Sequence, residues 1–260
     1  PEDTMDYLFH LYPRNGGSVV SWEEALRGDP VKGSLSINAG TSPGYPYSLG
    51  HTKGKAPYVQ IQDDLTFQYE PDFFEKLVEM ERELIAGRQV EVLWADVLKD
   101  ENRPVEKVLA GNTRLFSTCP LHYLFLVRRY FMDFVTYVQA KAATHPVSVG
   151  LNVHSIEWTI IFNRMQAKNA SIVAGDFKNF DGKVPSFIGR YVLSFINSWY
   201  DDGAINARIR ELLFEHIYNA NHICFDKVYE LSEGNPSGNP ITSIYNSFCN
   251  LVMTYIVFTQ

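Results

Sequence analysis

Cysteine is scarce in this chain. There are three in 260 residues, Cys119, Cys224 and Cys249, far apart and without a Cys-x-x-Cys pair. That argues against a disulfide framework or a cysteine-built zinc site and fits a reducing compartment. Positive charge is also in deficit, because 23 Lys and Arg stand against 30 Asp and Glu and leave a net charge of −7. The overall field therefore repels phosphate, and any nucleic-acid or nucleotide contact has to come from a local gathering of cations. The N-terminus, PEDTMDYLFH, has no basic leader followed by an apolar run, so it does not read as a signal peptide. Its first residue is Pro rather than Met, which suggests a processed or excised piece. The most apolar stretch, residues 241–258, is broken by Thr242, Ser243, Asn246, Ser247 and Asn250, which favours a buried helix over a membrane span. Internal repeats and low-complexity segments are missing as well.

Apolar and aromatic residues are plentiful. With 45% hydrophobic residues and 17 Phe beside 15 Tyr, disorder is out and one large core or two modest domains can form. The first 70 residues are punctuated by Gly16-Gly17, Gly28-Asp29-Pro30, Ser42-Pro43-Gly44 and Tyr45-Pro46. They predict irregular chain with short helical pieces at 6–11 and 21–26. Asp72 reads as the N-cap of a helix to residue 85, ended by Gly87, and residues 90–98 as a strand. A long helix is expected over 120–141, with Leu124, Val127, Phe131 and Val135 on one face, and another over 155–168, with Trp158, Ile161 and Met165 turned inward. Residues 171–174 read as a short buried strand ending at Gly175-Asp176, 185–200 and 204–220 as helices, and 222–231 as a hairpin. A loop at 234–238 then leads to a last helix opened by Pro240. The expectation is an α+β fold, rich in helix, packed on a small antiparallel sheet.

Three features carry chemistry. The first is Asp176-Phe177-Lys178-Asn179-Phe180-Asp181. A carboxylate at a strand end suits a hard divalent cation, and Asp181 would stand on another wall of the same pocket; the pair could equally cap a turn and a helix. The second is Glu233-Gly234-Asn235-Pro236-Ser237-Gly238-Asn239-Pro240, in which Gly234 and Gly238 permit close backbone approach and Ser237 is a candidate N-cap. Thr242 and Asn246, four apart, share a helical face, and Asn246 and Asn250 inside an apolar helix need partners. The third feature is a basic strip, Lys99, Arg103, Lys107 and Arg114, interleaved with Asp100, Glu101 and Glu106. An extended run would point Arg103, Val105 and Lys107 to one side, and a fold-back at Ala110-Gly111 would place up to four cations around one triphosphate, with the acids holding them. A solvated hairpin of mixed charge is the plainer alternative.

The three features occur in one order, and there the chain resembles the RNA-dependent RNA polymerases of picorna-like positive-strand RNA viruses. LKDENRPVEKVLAGNTRLF is similar to their motif F, GDFKNFD to motif A and GNPSGNPITSIYNS to motif B. TSPGYPY at 41–47 and VGLNVHSIEW at 149–158 resemble further fingers and pre-palm segments. The resemblance implies a right-hand polymerase fold, with fingers over 1–165, including an index-finger-like N-terminal segment. The first part of the palm, with some fingers elements, would follow over 166–260, and the thumb would be absent. It implies template-directed RNA synthesis, in which a primer 3′-hydroxyl attacks the α-phosphorus of an NTP in a two-metal reaction, with Mg²⁺ or Mn²⁺. Asp176 would be the catalytic metal ligand. Asp181 and Asn246, supported by Thr242, would read the ribose 2′-hydroxyl, since unpaired polar groups would penalise deoxyribose. Ser237 and Gly238 would lie in the loop that admits the template base and nucleotide. Arg103, Lys107 and Arg114 would neutralise the triphosphate and Lys99 would line the same channel, while Asn112 stands where many relatives carry a basic residue. The implied partners are RNA template and primer, NTPs, a protein primer and other viral replication proteins. The implied location is the host cytoplasm, at membrane-associated replication complexes.

The family's Gly-Asp-Asp hairpin does not occur in these 260 residues, and Asp63-Asp64 and Asp201-Asp202 sit in the wrong context. The 260-residue piece is therefore expected to be inactive while its parent is a polymerase. Two other readings stay open. A reverse transcriptase would prefer dNTP, and a non-catalytic RNA-binding protein with a degenerate polymerase fold would be indifferent to loss of Asp176.

Overall fold

The computed structural model describes residues 2–50, 54–61, 66–168 and 173–259. The N-terminal part contains α1 (Glu2–Leu11), α2 (Trp22–Arg27), β1 (Val59–Ile61), β2 (Phe67–Tyr69) and α3 (Pro71–Ile85). Then come β3 (Leu93–Leu98), α4 (Val105–Leu109), β4 (Leu115–Thr118), α5 (Leu121–Gln139) and α6 (Glu157–Ala167). The C-terminal part contains α7 (Ser186–Tyr200), α8 (Ala204–Tyr218), β5 (Ala220–Cys224), β6 (Lys227–Leu231) and α9 (Thr242–Thr259).

The sequence of α5, LHYLFLVRRYFMDFVTYVQ, is apolar on nearly every side, and a helix of that kind has to be enclosed. It is enclosed by two cores. Tyr123, Leu126, Val127, Tyr130, Phe131, Phe134 and Val138 face a large cluster shared with α1, α7, α8 and α9. Leu121, Phe125 and Met132 face a smaller one built with α2, α3 and β1. Within the larger core Phe248 of α9 stacks on Phe195 of α7, with centroids 5.6 Å apart, and lies 5.3 Å from Phe134. Gly189 lets α7 and α9 meet closely, since a Cβ there would lie 2.3 Å from the Tyr245 hydroxyl. These contacts fix α9, and with it the residues on its opposite face.

Two sheets form. β1 and β2 make an antiparallel ribbon, and the other sheet runs β4-β3-β5-β6. β3–β4 and β5–β6 are antiparallel, as expected, but β3 and β5 pair in parallel through Trp94↔His222. Trp94 anchors that pairing from beneath: it is fully buried, and its indole donates to the His216 carbonyl at 3.0 Å. The register sets Asp96 opposite Ser117 and His222 opposite Tyr229. This sheet joins strands from both sides of residue 165.

Several expectations need correction. Pro71 occupies the first turn of α3, so the cap falls to Glu70, whose carboxylate accepts from Asp72 N at 3.2 Å and Phe73 N at 2.7 Å. α6 forms where periodicity placed it, yet Trp158 and Met165 are exposed and the helix has no buried residue. An apolar stripe is buried only where another element meets it, and among the described residues α6 is tied down by Arg164 donating to the Ala143 carbonyl at 2.8 Å. The strand expected over 171–174 falls partly on residues 171 and 172, outside the described residues; Val173 is exposed and in no strand. Asn250 is exposed, and accepts a long bond from Thr254, so it needs no interior partner.

Candidate functional site

The sheet, the turn at 179–182 and the loop at 233–237 line a cleft of about 1170 Å³. One wall carries the cations. The β3–β4 ladder ends at Leu98↔Leu115, and Lys99 N donates to the Arg114 carbonyl at 2.9 Å, so the two basic side chains emerge together. Glu101 gathers them. Its carboxylate lies 3.2 Å from Arg114, 3.4 Å from Lys99 and 3.6 Å from Arg103. Arg103 also donates to the Asn112 carbonyl at 3.4 Å. These pairs are partly open to solvent and each contributes less than about 1 kcal/mol, so the cations can be redirected by a stronger anion. Lys107 departs from expectation: residues 105–109 form α4 rather than an extended run, and Lys107 is absent from the cleft lining. A helical turn rotates successive side chains by about 100°, which removes the period-2 alternation that would have aligned it with Arg103.

The opposite wall is a chain of amides that ends on a carboxylate. Asn239 donates to Asn235 Oδ1 at 3.0 Å, Asn235 to Asn246 Oδ1 at 3.1 Å, and Asn246 donates to Asp181 Oδ1. Asn235 and Asn239 are buried, and each would cost about 1–3 kcal/mol if left unpaired. The backbone completes the link, since Asn235 N donates to the Asp181 carbonyl at 2.7 Å. Gly234 makes this approach possible: its φ is +98° and a Cβ would lie 2.6 Å from that carbonyl. The spacing of Asp181 and Asn246 marks them in the sequence, whereas Asn235 and Asn239 are not marked by spacing. The repeated Asn-Pro at 235–236 and 239–240 was the signal available.

Ser237 does not cap the last helix. Its hydroxyl accepts from Ser117 N at 3.0 Å, and α9 starts at Thr242 after Asn239 has accepted from Ile241 N at 3.2 Å. Gly238 lies flat against the same strand, where a Cβ would sit 1.9 Å from the Ser117 carbonyl. Thr242 donates to the Pro236 carbonyl at 3.2 Å and braces the loop without lining the cleft. Asp176 is exposed and is not among the lining residues.

A further cluster was not anticipated. Asp96, buried in the cleft wall, accepts from Ser117 Oγ at 2.6 Å, from His222 Nδ1 at 3.0 Å and from the Tyr229 hydroxyl. Burial alone would raise its pKa, but the bonds from Ser117, Tyr229 and His222 outweigh that and hold it below the ordinary carboxylate range. Tyr229 is pushed up in turn, by burial first and then by that carboxylate. Only the strand register brings these four residues together, across more than 130 positions of sequence.

A divalent ion such as Mg²⁺ needs about six oxygen donors. Among the described residues no group of three His, Cys, Asp or Glu is placed to hold a metal. No helix among the described residues is long and apolar enough to cross a membrane.

Comparison with known proteins gives a consistent picture. Residues 27–260 match the family described as viral RNA-dependent RNA polymerase. The chain is 35% identical over 244 residues to the replicase polyprotein of acute bee paralysis virus, covering 92% of this chain and 13% of that protein. It is 35% identical over 256 residues to the replicase polyprotein of cricket paralysis virus, covering 92% of the chain and 14% of that relative. It thus spans a small part of the curated relatives it matches. A solved Sicinivirus 3Dpol RNA-dependent RNA polymerase superposes with a TM-score of 0.78 at 22% identity, covering 96% of this chain and 51% of that one, a likeness of fold.

Proposed function

Because the chain belongs to the viral RNA-dependent RNA polymerase family, we propose that the protein containing it synthesises RNA on an RNA template during viral replication. The observation that carries this reading is the cleft itself, with a cation wall and a carboxylate–amide wall facing one space of about 1170 Å³. A nucleoside triphosphate needs both. Arg103, Arg114 and Lys99 would take the phosphates, exchanging Glu101 for them. Asp181 and Asn246 would take the ribose, at a site steadied by the Asn235–Asn239 relay. Lys107, on α4, would act from outside the cleft or not at all.

Polymerases of this family use divalent metal, which neutralises phosphate charge. In this reading Asp176 supplies one oxygen ligand toward the Mg²⁺ or Mn²⁺ ions, and no step is assigned to it beyond that. The reaction joins the primer 3′-oxygen to the α-phosphorus and releases pyrophosphate. Residues 1–165 would form fingers and 166–260 the beginning of the palm, with the sheet strands β5 and β6 returned to the fingers. Template, primer and replication proteins would be its partners, in the host cytoplasm.

The test is primer extension by the parent polymerase on an RNA template. The proposal expects NTP to be incorporated in preference to dNTP, and Asp176→Ala to abolish synthesis while leaving the protein folded. Undiminished synthesis by Asp176→Ala, or preference for dNTP, would overturn it.

A further inference from the structure

The Asp96 cluster is the feature that the nucleotide reading leaves unused. Asp96 and Ser117 are directly paired across β3 and β4, and both line the cleft. Ser117 is a junction with three occupied groups. Its hydroxyl donates to Asp96 at 2.6 Å, its N–H donates to Ser237 Oγ at 3.0 Å, and its carbonyl abuts Gly238 so closely that no side chain fits between. The loop clamped at Ser237 and Gly238 is the one that carries Asn235 and Asn239 and leads into α9 with Asn246. On its far side Asp96 is held by His222 and Tyr229, a cross-strand pair whose rings stack with centroids 5.3 Å apart. The side chains of Asp96 and His222 are about 4% and 3% exposed, so water does not substitute for these bonds.

We propose that Asp96 is a positioning residue for the sugar side of the nucleotide site: by fixing Ser117 it sets where Ser237 clamps the loop, and so sets the Asn246–Asp181 pair against the cations. This rests on the proposed nucleotide function. In this reading Asp96 acts through Ser117 rather than on the nucleotide. Asp96 on β3 and Ser117 on β4 belong to the two strands whose ends present Lys99 and Arg114, so one ladder links the phosphate wall and the sugar wall. Misplacement of a binding group by a fraction of an ångström costs binding and orientation more than folding.

The experiment uses the full parent polymerase with Asp96→Ala, Asp96→Asn, Ser117→Ala and the Asp96→Ala/Ser117→Ala double variant, in steady-state single-nucleotide incorporation with NTP and dNTP. Asp96→Ala is expected to raise KM for NTP about tenfold, with kcat changed less, and to lower the NTP-over-dNTP preference several-fold. Asp96→Asn keeps acceptors for Ser117 and His222 and should restore most of both quantities. Ser117→Ala should copy Asp96→Ala, and the double variant should be no worse than either single one, since all break one connection. If Asp96→Ala does not fold, Ser117→Ala, which removes one hydroxyl, carries the test alone. Variants that are folded and active with KM and preference unchanged would overturn the proposal, as would additive losses in the double variant. Absence of synthesis by the unsubstituted polymerase would instead refute the proposed function.

Discussion

At the scale of single residues, the Asp181–Asn246 bond changes how sugar selection would work under the proposed function. A free carboxylate–amide pair could reject deoxyribose because its polar groups would be left unpaired. In the structure the carboxylate and the amide bond to each other, so a deoxynucleotide that leaves them alone strands nothing. Under the proposed function, selection would then come from what a 2′-hydroxyl gains at a charged acceptor, about 1.5–3 kcal/mol, which is roughly ten- to a hundredfold. Asn246→Ala should therefore lower the ratio of kcat/KM for NTP and dNTP by about tenfold rather than by several orders of magnitude. Pre-steady-state incorporation of a matched NTP and dNTP pair measures it, and an unchanged ratio would remove Asn246 from sugar reading. Asn235→Ala is expected to have a similar but smaller effect, because it frees Asn246 Oδ1 without touching the ligand side.

At the scale of elements, the contact between β4 and the loop at 234–238 leaves no room for a side chain. Gly238→Ala has no room, since the Ser117 carbonyl is backbone and the added Cβ would lie 1.9 Å from it. The loop must lift, at a cost of about 1–3 kcal/mol, and Ser237 must release Ser117 N. The expected result is a lower melting temperature by several degrees and a large rise in KM for NTP; a variant with both unchanged would show that the loop is not clamped. Gly189→Ala makes the comparison in the core. It should cost stability by forcing α7 away from Tyr245 and Tyr218, and it should disturb nucleotide binding only through α9.

How much of this could be seen in the sequence depends on the range of the forces involved. Helices α1, α2, α3, α5, α7, α8 and α9 and the β5–β6 hairpin follow from local periodicity, caps and turn residues. Asp181 and Asn246 stood out because their spacing is set by a turn and a helix. Asp96 did not, because nothing local marks an Asp in a strand until the register brings Ser117, His222 and Tyr229 to it. Lys107 misled for a related reason: charge pattern alone cannot tell an extended run from the short helix that Pro104 starts. The α6 stripe was read correctly as apolar, but periodicity names a face and not what lies against it.

At the scale of the whole molecule, two buried histidines make the fold sensitive to acid. His122 and His216 are both held down to about 4, chiefly by burial. His122 Nε2 contacts the Glu91 carbonyl at 2.8 Å, which leaves Nδ1 buried without a partner, as a neutral ring tolerates and a charged one does not. Unfolding restores an ordinary pKa near 6.5, so between about 4 and 6.5 the unfolded chain binds more protons than the folded one, and stability rises with pH. Asp96 acts in the same direction at lower pH, because its depressed pKa gives stability that is lost as the carboxylate protonates. Taking the protein from pH 7 to pH 5 should cost on the order of 3 kcal/mol in urea denaturation. A flat profile over that range would show that these rings are charged or solvated in the fold.

Glu101 sets how the cation wall behaves toward ions in general. Three basic groups share its carboxylate, so the strip works as an ion exchanger supplied with a counter-ion of its own. A newcomer must compete with that resident charge at close range. A singly charged anion offers what Glu101 already gives and gains little by the swap, whereas a polyanion brings several charges at once and displaces it. Admission is therefore graded by valence, and raising ionic strength weakens resident and newcomer alike. An acidic chain would thus discriminate among anions by holding one of its own, Glu101, among its cations.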